Sequence, residues 1–308
     1  MEEDIEIELS GLSPVPWSEF LLNPRQVRGS DFLMRWSQGE WSEMRLAQAI
    51  NNTNRYVAFP YGPSSVAPED DLRAYELYFE RLEAAGLGKM KRPDLLIFRK
   101  SDEARVQAII DGIGGESELP FIPEEAPSMV HLLSMAIIAV ECENSLWITQ
   151  MMRHFGTPLR PQKRLGGLLG LAKDAKVPTI IIKEEDRVPL RNWQIERRVS
   201  IHVWHAFYDR AYGLAFDTAD ELIAAGKIVA TSQIFQAPGG ATTTKEIYKI
   251  YYHYAYPLGE SVEEPELLAA SLVDKSGHIL PYVKFEGGKL EISSDALAVL
   301  EHAAGNIE

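Results

Sequence analysis

One cysteine, Cys142, is the whole thiol content of the 308-residue chain. No intramolecular disulfide can form, and such sparse cysteine usage fits a reducing cytoplasm. No apolar run approaches the roughly 20 residues that a membrane-crossing helix needs. Met1 to Glu6 is acidic, whereas a secretory leader starts basic. The chain has no G-x-S-x-G, no Gly-Lys-Ser/Thr phosphate loop and no G-x-G-x-x-G, which counts against serine-hydrolase, NTPase and dinucleotide chemistry. Seven histidines are present but none shows ligand spacing. His202 and His205 are three apart on a predicted strand, so they face opposite sides, and a zinc site is not expected. Positive charge is also short: 31 Lys and Arg against 45 Asp and Glu leave a net charge of -14, which at first argues against a nucleic-acid partner.

What is present is concentrated in two apolar strings that carry carboxylates. One is Arg92-Pro93-Asp94-Leu95-Leu96-Ile97-Phe98, and the other runs from Ile137 through Glu141, Cys142 and Glu143 to Asn144. Side chains alternate along a strand, so Glu141 and Glu143 share a face and Cys142 points to the other. Cys142 then reads as a buried, inert thiol. Two carboxylates on one face repel each other unless a cation lies between them. With Asp94 on a neighbouring strand as a further oxygen donor, the expected occupant is a hard divalent cation such as Mg2+. The competing explanation is that acids gather at strand ends because strand ends reach solvent.

Charge is unevenly distributed as well. From Trp147 to Ser200 there are eleven Lys and Arg against five Asp and Glu. A basic stretch directly after the carboxylate strand would hold a phosphodiester backbone against the metal site. Taken alone it would equally be a solvated basic face.

The chain shows no repeat, no low-complexity tract and no convincing linker, so one domain is expected over 1–308. Its parts are an N-terminal helical segment (1–67), a catalytic core (about 68–235) and a C-terminal strand and helix extension (236–308). Helical spacing predicts helices over 30–50 and from Pro68 to about Leu87, with a loop from Phe59 to Pro68 between them. On the second helix Glu76, Glu80 and Glu83 form one stripe, which either adds a carboxylate to the site or is solvated. Residues 101–128 look like an insertion with a short helix near Ala104 to Ile110 and a Pro- and Glu-rich loop. Thr149 to Ala175 reads as helix broken by Gly156-Thr157-Pro158 and Gly166-Gly167. Strands are expected at Val177 to Ile182, Val199 to Phe207 and Lys227 to Phe235, with a helix from Asp217 to Ala225. Leu267 to Val273 and Ile279 to Phe285 form a hairpin, and a helix closes the chain from Ser294 to Ala303. The expected fold class is α/β, a mixed central sheet flanked by helices with added antiparallel strands toward the C-terminus.

An acidic helix, a Pro-Asp strand, an E-x-E strand, a basic helix and a buried strand follow one another over about residues 68 to 183. In that order they resemble the PD-(D/E)XK nuclease superfamily and, within it, the type II restriction endonucleases. Asp94 corresponds to the motif aspartate and Glu141 to the second acid, while Glu143 stands where the motif usually has lysine. The 47 positions from Asp94 to Glu141 are more than is usual there.

The resemblance implies a restriction-endonuclease-like core that cleaves double-stranded DNA with Mg2+. It also implies a homodimer reading a two-fold site, and a partner methyltransferase in a restriction-modification system. It implies Asp94, Glu141 and the main-chain carbonyl of Cys142 as metal donors, with Glu143 as a third catalytic acid. Lys183, at the end of the next buried strand, either supplies the missing positive charge or is a solvated strand end. Base-edge readers would come from Gln162, Lys163, Arg164, Arg187, Arg191, Asn192 and the stretch from Gln233 to Lys245, because Arg and Lys pair with guanine and Asn and Gln with adenine. Two rival readings stay open: a two-carboxylate hydrolase for a small substrate, and a DNA-binding module with an inactive nuclease fold.

Overall fold

Strands as apolar as Leu95 to Phe98 and Ile137 to Val140 need cover on both faces, and the architecture is built around that need. The computed structural model describes residues 30–67, 72–236, 242–273 and 277–305. The first elements along the chain are α1 (Ser30–Asn51), β1 (Tyr56–Pro60), α2 (Leu72–Ala84), β2 (Leu95–Arg99), α3 (Glu103–Gly112), α4 (Pro127–Met135) and β3 (Ile138–Asn144). Next come β4 (Arg160–Pro161), β5 (Leu169–Gly170), β6 (Thr179–Lys183), α5 (Glu184–Arg197), β7 (Ile201–Ala206), β8 (Arg210–Ala215) and α6 (Phe216–Ala224). The last are β9 (Thr231–Gln236), β10 (Thr242–Tyr251), β11 (Tyr256–Glu263), β12 (Glu266–Val273), β13 (Ile279–Glu286), β14 (Lys289–Ile292) and α7 (Ser294–Gly305).

The main sheet has seven strands in the order β1-β2-β3-β7-β8-β11-β14. Only the central β3–β7 pair is parallel. One face, carrying Leu96, Phe98, Ala139, Ile201 and Val203, is covered by α2 to α6 and by a second sheet, β6-β10-β9. The other face, carrying Leu95, Ile97, Val140 and Trp204, packs on Leu46 and Ile50 of α1 and on Leu300 of α7. Each fully buried Leu or Ile contributes about 1.5–3 kcal/mol. This is the α/β class expected, a mixed sheet flanked by helices in the manner of a restriction-endonuclease core. β11 and β14 extend it antiparallel at one edge.

Several local expectations are corrected. No α-helix forms between Thr149 and Ala175. The stretch holds two single 3-10 turns, at Thr149–Met151 and Lys163–Leu165, and the two-residue strands β4 and β5. Gly156-Thr157-Pro158, Pro161 and Gly166-Gly167 leave no span long enough to repay helix nucleation. Residues 56–60, placed partly in a loop, are an edge strand, and residues 127–135, of which only 127 and 128 fell in the expected loop, form a helix. The strand read at Val177 to Ile182 exists as β6 but belongs to the second sheet. The stretch from Gln233 to Lys245 is the arms of the β9–β10 hairpin, while residues 237–241 lie outside the described residues. The hairpin of β12 and β13 forms as expected but as a separate ribbon against α1, not as an edge of the main sheet. Of the expected helix from Pro68, residues 68–71 lie outside the described residues. So does the segment 1–29.

Candidate active site

Asp94 sits one residue before β2, where its N–H donates to the carbonyl of Val140 at 2.8 Å. Leu95 pairs with Val140 across the antiparallel β2–β3 ladder, so carrying that register one step further sets Asp94 against Glu141. Directly opposed residues of such a ladder share a face. The Asp94 backbone is bracketed from the other side, because Tyr61 and Gly62 both donate their N–H groups to its carbonyl, at 2.8 and 3.1 Å. A Cβ on Gly62 would stand 2.8 Å from the Pro93 carbonyl oxygen, so only glycine permits this approach. The Asp94 side chain accepts the Cys142 N–H at Oδ2, at 2.7 Å. Asp94, Glu141 and Glu143 are therefore brought to one sheet face at the C-terminal end of β3. The Cys142 side chain packs among the apolar residues of the opposite face. Burial and nearby carboxylates push its thiol well up, so only its backbone takes part.

The electrostatics of the pair are those of crowded acids. Burial pushes Asp94 up to about 7, reinforced by Glu43 and opposed by Lys91 and the Cys142 N–H. Burial pushes Glu141 up to about 8, reinforced by Asp94 and opposed by Lys91. Lys91 forms an ion pair with Glu141 Oε1, and Lys183 forms one with Glu143 Oε1 at 2.8 Å. Burial works to lower both lysines, but the facing carboxylates outweigh it and raise them. Lys183 thus lies at the site instead of trailing into solvent. Glu76 and Glu80 enter neither of these ion pairs.

Three groups at or behind the site were not expected. Lys91 lies three residues before Asp94 and pairs with Glu141. Its signal was present in the string Lys89-Met90-Lys91-Arg92-Pro93-Asp94. Glu43 comes from α1 and accepts the Ser65 hydroxyl at 2.7 Å, and only the tertiary fold brings it near Asp94. Glu124, from the 101–128 insertion, accepts the Trp193 indole N–H at 2.7 Å and the Tyr61 hydroxyl. It also forms ion pairs with Arg92 and Arg197, each at 2.9 Å. Arg92 is buried and donates to the carbonyls of Leu119 and Ile122 at 2.9 and 3.0 Å. The segment that carries Lys91 and Asp94 is thereby tied to the insertion and to α5.

This arrangement falls inside a recognisable stretch. Residues 18–148 match the family model of the AccI restriction endonuclease. Comparison with curated proteins and with solved structures finds no match. The matched stretch contains Glu43, Lys91, Asp94, Glu141 and Glu143 and stops before Arg153, the first cation of the basic segment. It supports the type II restriction-endonuclease resemblance read from the motif.

A divalent cation can be tested against the residues of the AccI-like stretch. Among the described residues no group of three His, Cys, Asp or Glu side chains is arranged to hold a metal unaided. Mg2+ commonly takes one or two carboxylates and fills its other positions with water and substrate phosphate, so two suffice. Glu141 Oε2 is buried without a hydrogen-bond partner. An orphaned carboxylate oxygen beside a second buried acid is the donor set a hard cation requires, and the residues fit.

The DNA-contact candidates divide into two groups. Lys163 and Arg164 are exposed and Gln162 half-buried, on the turn before β5. Gln162 donates to the carbonyls of Arg160 and Gly170, and Arg164 to that of Leu171. Arg187 and Arg191 lie on α5 and are both paired with Asp220, Arg187 also with Glu184. Asn192 is on the same helix and exposed.

Proposed function

We propose that this protein is a Mg2+-dependent type II restriction endonuclease that hydrolyses phosphodiester bonds of double-stranded DNA. The observation that carries the reading is half-buried Asp94 set beside buried Glu141 and its partner Lys91, inside the stretch that matches the AccI family. Asp94, Glu141 and the Cys142 carbonyl would hold the ion. A bound Mg2+ supplies an acidified water and positive charge on the scissile phosphate. Lys91 opposes the upward push on Glu141 and sets its carboxylate in place. Glu143, steadied by Lys183, takes the proton of the attacking water, and the 3′ oxygen leaves as the phosphorus–oxygen bond breaks. The exposed cations after β3 hold the backbone, and a homodimer reads a two-fold site, since two-fold sequences are read most simply by two-fold proteins.

The test is a digest of a long, sequenced double-stranded DNA with Mg2+ and with chelator, for the natural chain and for Asp94→Ala. Discrete Mg2+-dependent fragments that vanish in Asp94→Ala are expected, and their ends give the recognition sequence. Intact DNA in every lane overturns the reading, and binding without cleavage points to an inactive nuclease fold.

A further inference from the structure

The loop that leaves β3 immediately after the candidate acids carries its apolar side chains outward. Trp147 is 62% exposed and Met151 78%, with Leu146 and Ile148 at the margin of the same patch. Scattered exposed apolar residues are ordinary on protein surfaces, but four within six positions form a patch that calls for a partner.

The backbone beneath them is firmly held. The Asp209 carboxylate accepts from the Thr149 N–H at 2.7 Å, the Thr149 hydroxyl at 2.8 Å and the Gln150 N–H at 3.3 Å. Ser145 donates its N–H to Ala206 at 2.8 Å, and the Trp147 carbonyl accepts from the Tyr208 N–H at 3.2 Å. The turn at 207–209 is itself clamped by the buried Arg45, which donates to the carbonyls of Phe207 and Tyr208 at 2.6 and 3.1 Å. A loop pinned this way presents Trp147 and Met151 in a fixed place, so little ordering is needed when they meet a partner.

Two further observations say what that partner is. Trp147 lies four positions after Glu143, so the two Cα atoms lie within about 14 Å. A duplex turn spans about 34 Å, so a duplex whose phosphate rests on the carboxylates extends well past the distance to Trp147. The chain that continues from the tip carries Arg153, Arg160, Lys163, Arg164, Lys173 and Lys176, all exposed, against the single acid Asp174. Among the described residues none of these six cations is taken up in an ion pair. An apolar tip followed by free cations is complementary to stacked bases flanked by phosphates.

We infer that Trp147 and Met151 form a rigid wedge that enters the base stack of duplex DNA beside the scissile phosphate. The inference rests on the endonuclease reading and adds a mode of substrate distortion to it. Unstacking one step lets the strand bend toward Asp94 and Glu141, and Trp147 replaces part of the lost stacking.

The experiment compares single-turnover cleavage by the natural chain, Trp147→Ala/Met151→Ala and Trp147→Phe. The substrates are a duplex holding the mapped site and the same duplex with one mismatch at the step beside the cut. Oligomeric state is followed by sedimentation. The double variant is expected to cut the paired duplex about ten- to a hundredfold more slowly, and to recover most of the rate on the mismatched one, where unstacking is already done. Trp147→Phe keeps most of the rate, and sedimentation does not change. Equal rates on the paired duplex, or a loss that the mismatch does not relieve, overturn the wedge alone. A variant that falls from dimer to monomer assigns the patch to a second copy of this chain and likewise overturns the wedge. Failure of the natural chain to cut any DNA overturns both the wedge and the endonuclease reading.

Discussion

Lys91 pairs with Glu141, so the cation that steadies the buried acids comes from the approach to β2 and not from the E-x-E strand. Replacing Lys91 by Met removes the charge that opposes the upward push on Glu141. The alkaline shift of the pH–rate profile should be about one unit or more, read from cleavage rates between pH 6 and 9. An unmoved profile would detach Lys91 from the chemistry.

In metal-free protein the two acids should make stability fall as pH rises. Their unfolded values are about 3.9 and 4.3, while the fold raises Asp94 to about 7 and Glu141 to about 8. The folded state therefore binds more protons between these limits. The contribution is fully present below about pH 4 and is lost as pH climbs through the raised values. Thermal melts in chelator from pH 5 to 9 should show Asp94→Asn gaining on the natural chain as pH rises. Added Mg2+ should raise Tm more at pH 8 than at pH 6, because the carboxyls must lose protons to bind it.

Glu124→Ala should cost about 3–5 kcal/mol, since it strands the buried guanidinium of Arg92. Glu124→Gln, which keeps an acceptor for Trp193, should cost less. Urea unfolding measures both. Because Arg92 adjoins the Lys91–Asp94 segment, cleavage should fall in the same order.

Tyr256 of β11 reaches across β8, and Gly213 leaves the space. A Cβ on Gly213 would stand 2.3 Å from the ring. The Tyr256 hydroxyl accepts the Trp204 indole N–H at 2.9 Å and lies 2.9 Å from His202 Nδ1. Gly213→Ala should therefore displace the ring and lower stability by about 1–3 kcal/mol. Tyr256→Phe should cost about 1–3 kcal/mol through the orphaned indole. The double variant should lose less than the sum.

Lys163→Ala should weaken DNA binding evenly across sequences and reduce the salt slope by about one. Arg187→Ala should leave that slope unchanged and lower Tm instead, because Arg187 is already held by Glu184 and Asp220. Fluorescence anisotropy at several salt concentrations separates the two.

The parts of the fold legible in the sequence were those whose own residues carry the pattern. β2 and the first half of β3 are continuous apolar runs, β7 alternates apolar residues with His202 and His205, and α6 and α7 have dense helical periodicity. α5 was missed because only Leu190 and Trp193 of its 14 residues are buried, too few to mark a face. β1 was hidden by Pro60, its last residue, and by Gly62 and Pro63, which follow it closely. At the site, Asp94, Glu141 and Glu143 were readable because carboxylates interrupt apolar strands. Glu43 and Glu124 were not, since each reaches the site region through packing between elements distant in sequence.

The stretch between Asp94 and Glu141 is long because it contains a strut. Glu124 leans on Arg92 from one side and on Trp193 and Arg197 from the other, as a keystone bears on two flanks. Trimming those residues to the shorter spacing of a standard motif would make the signature easier to find and leave the Lys91–Asp94 segment without its abutment. A nick within 121–126 would act as a remote off-switch, disarming the acids without touching them.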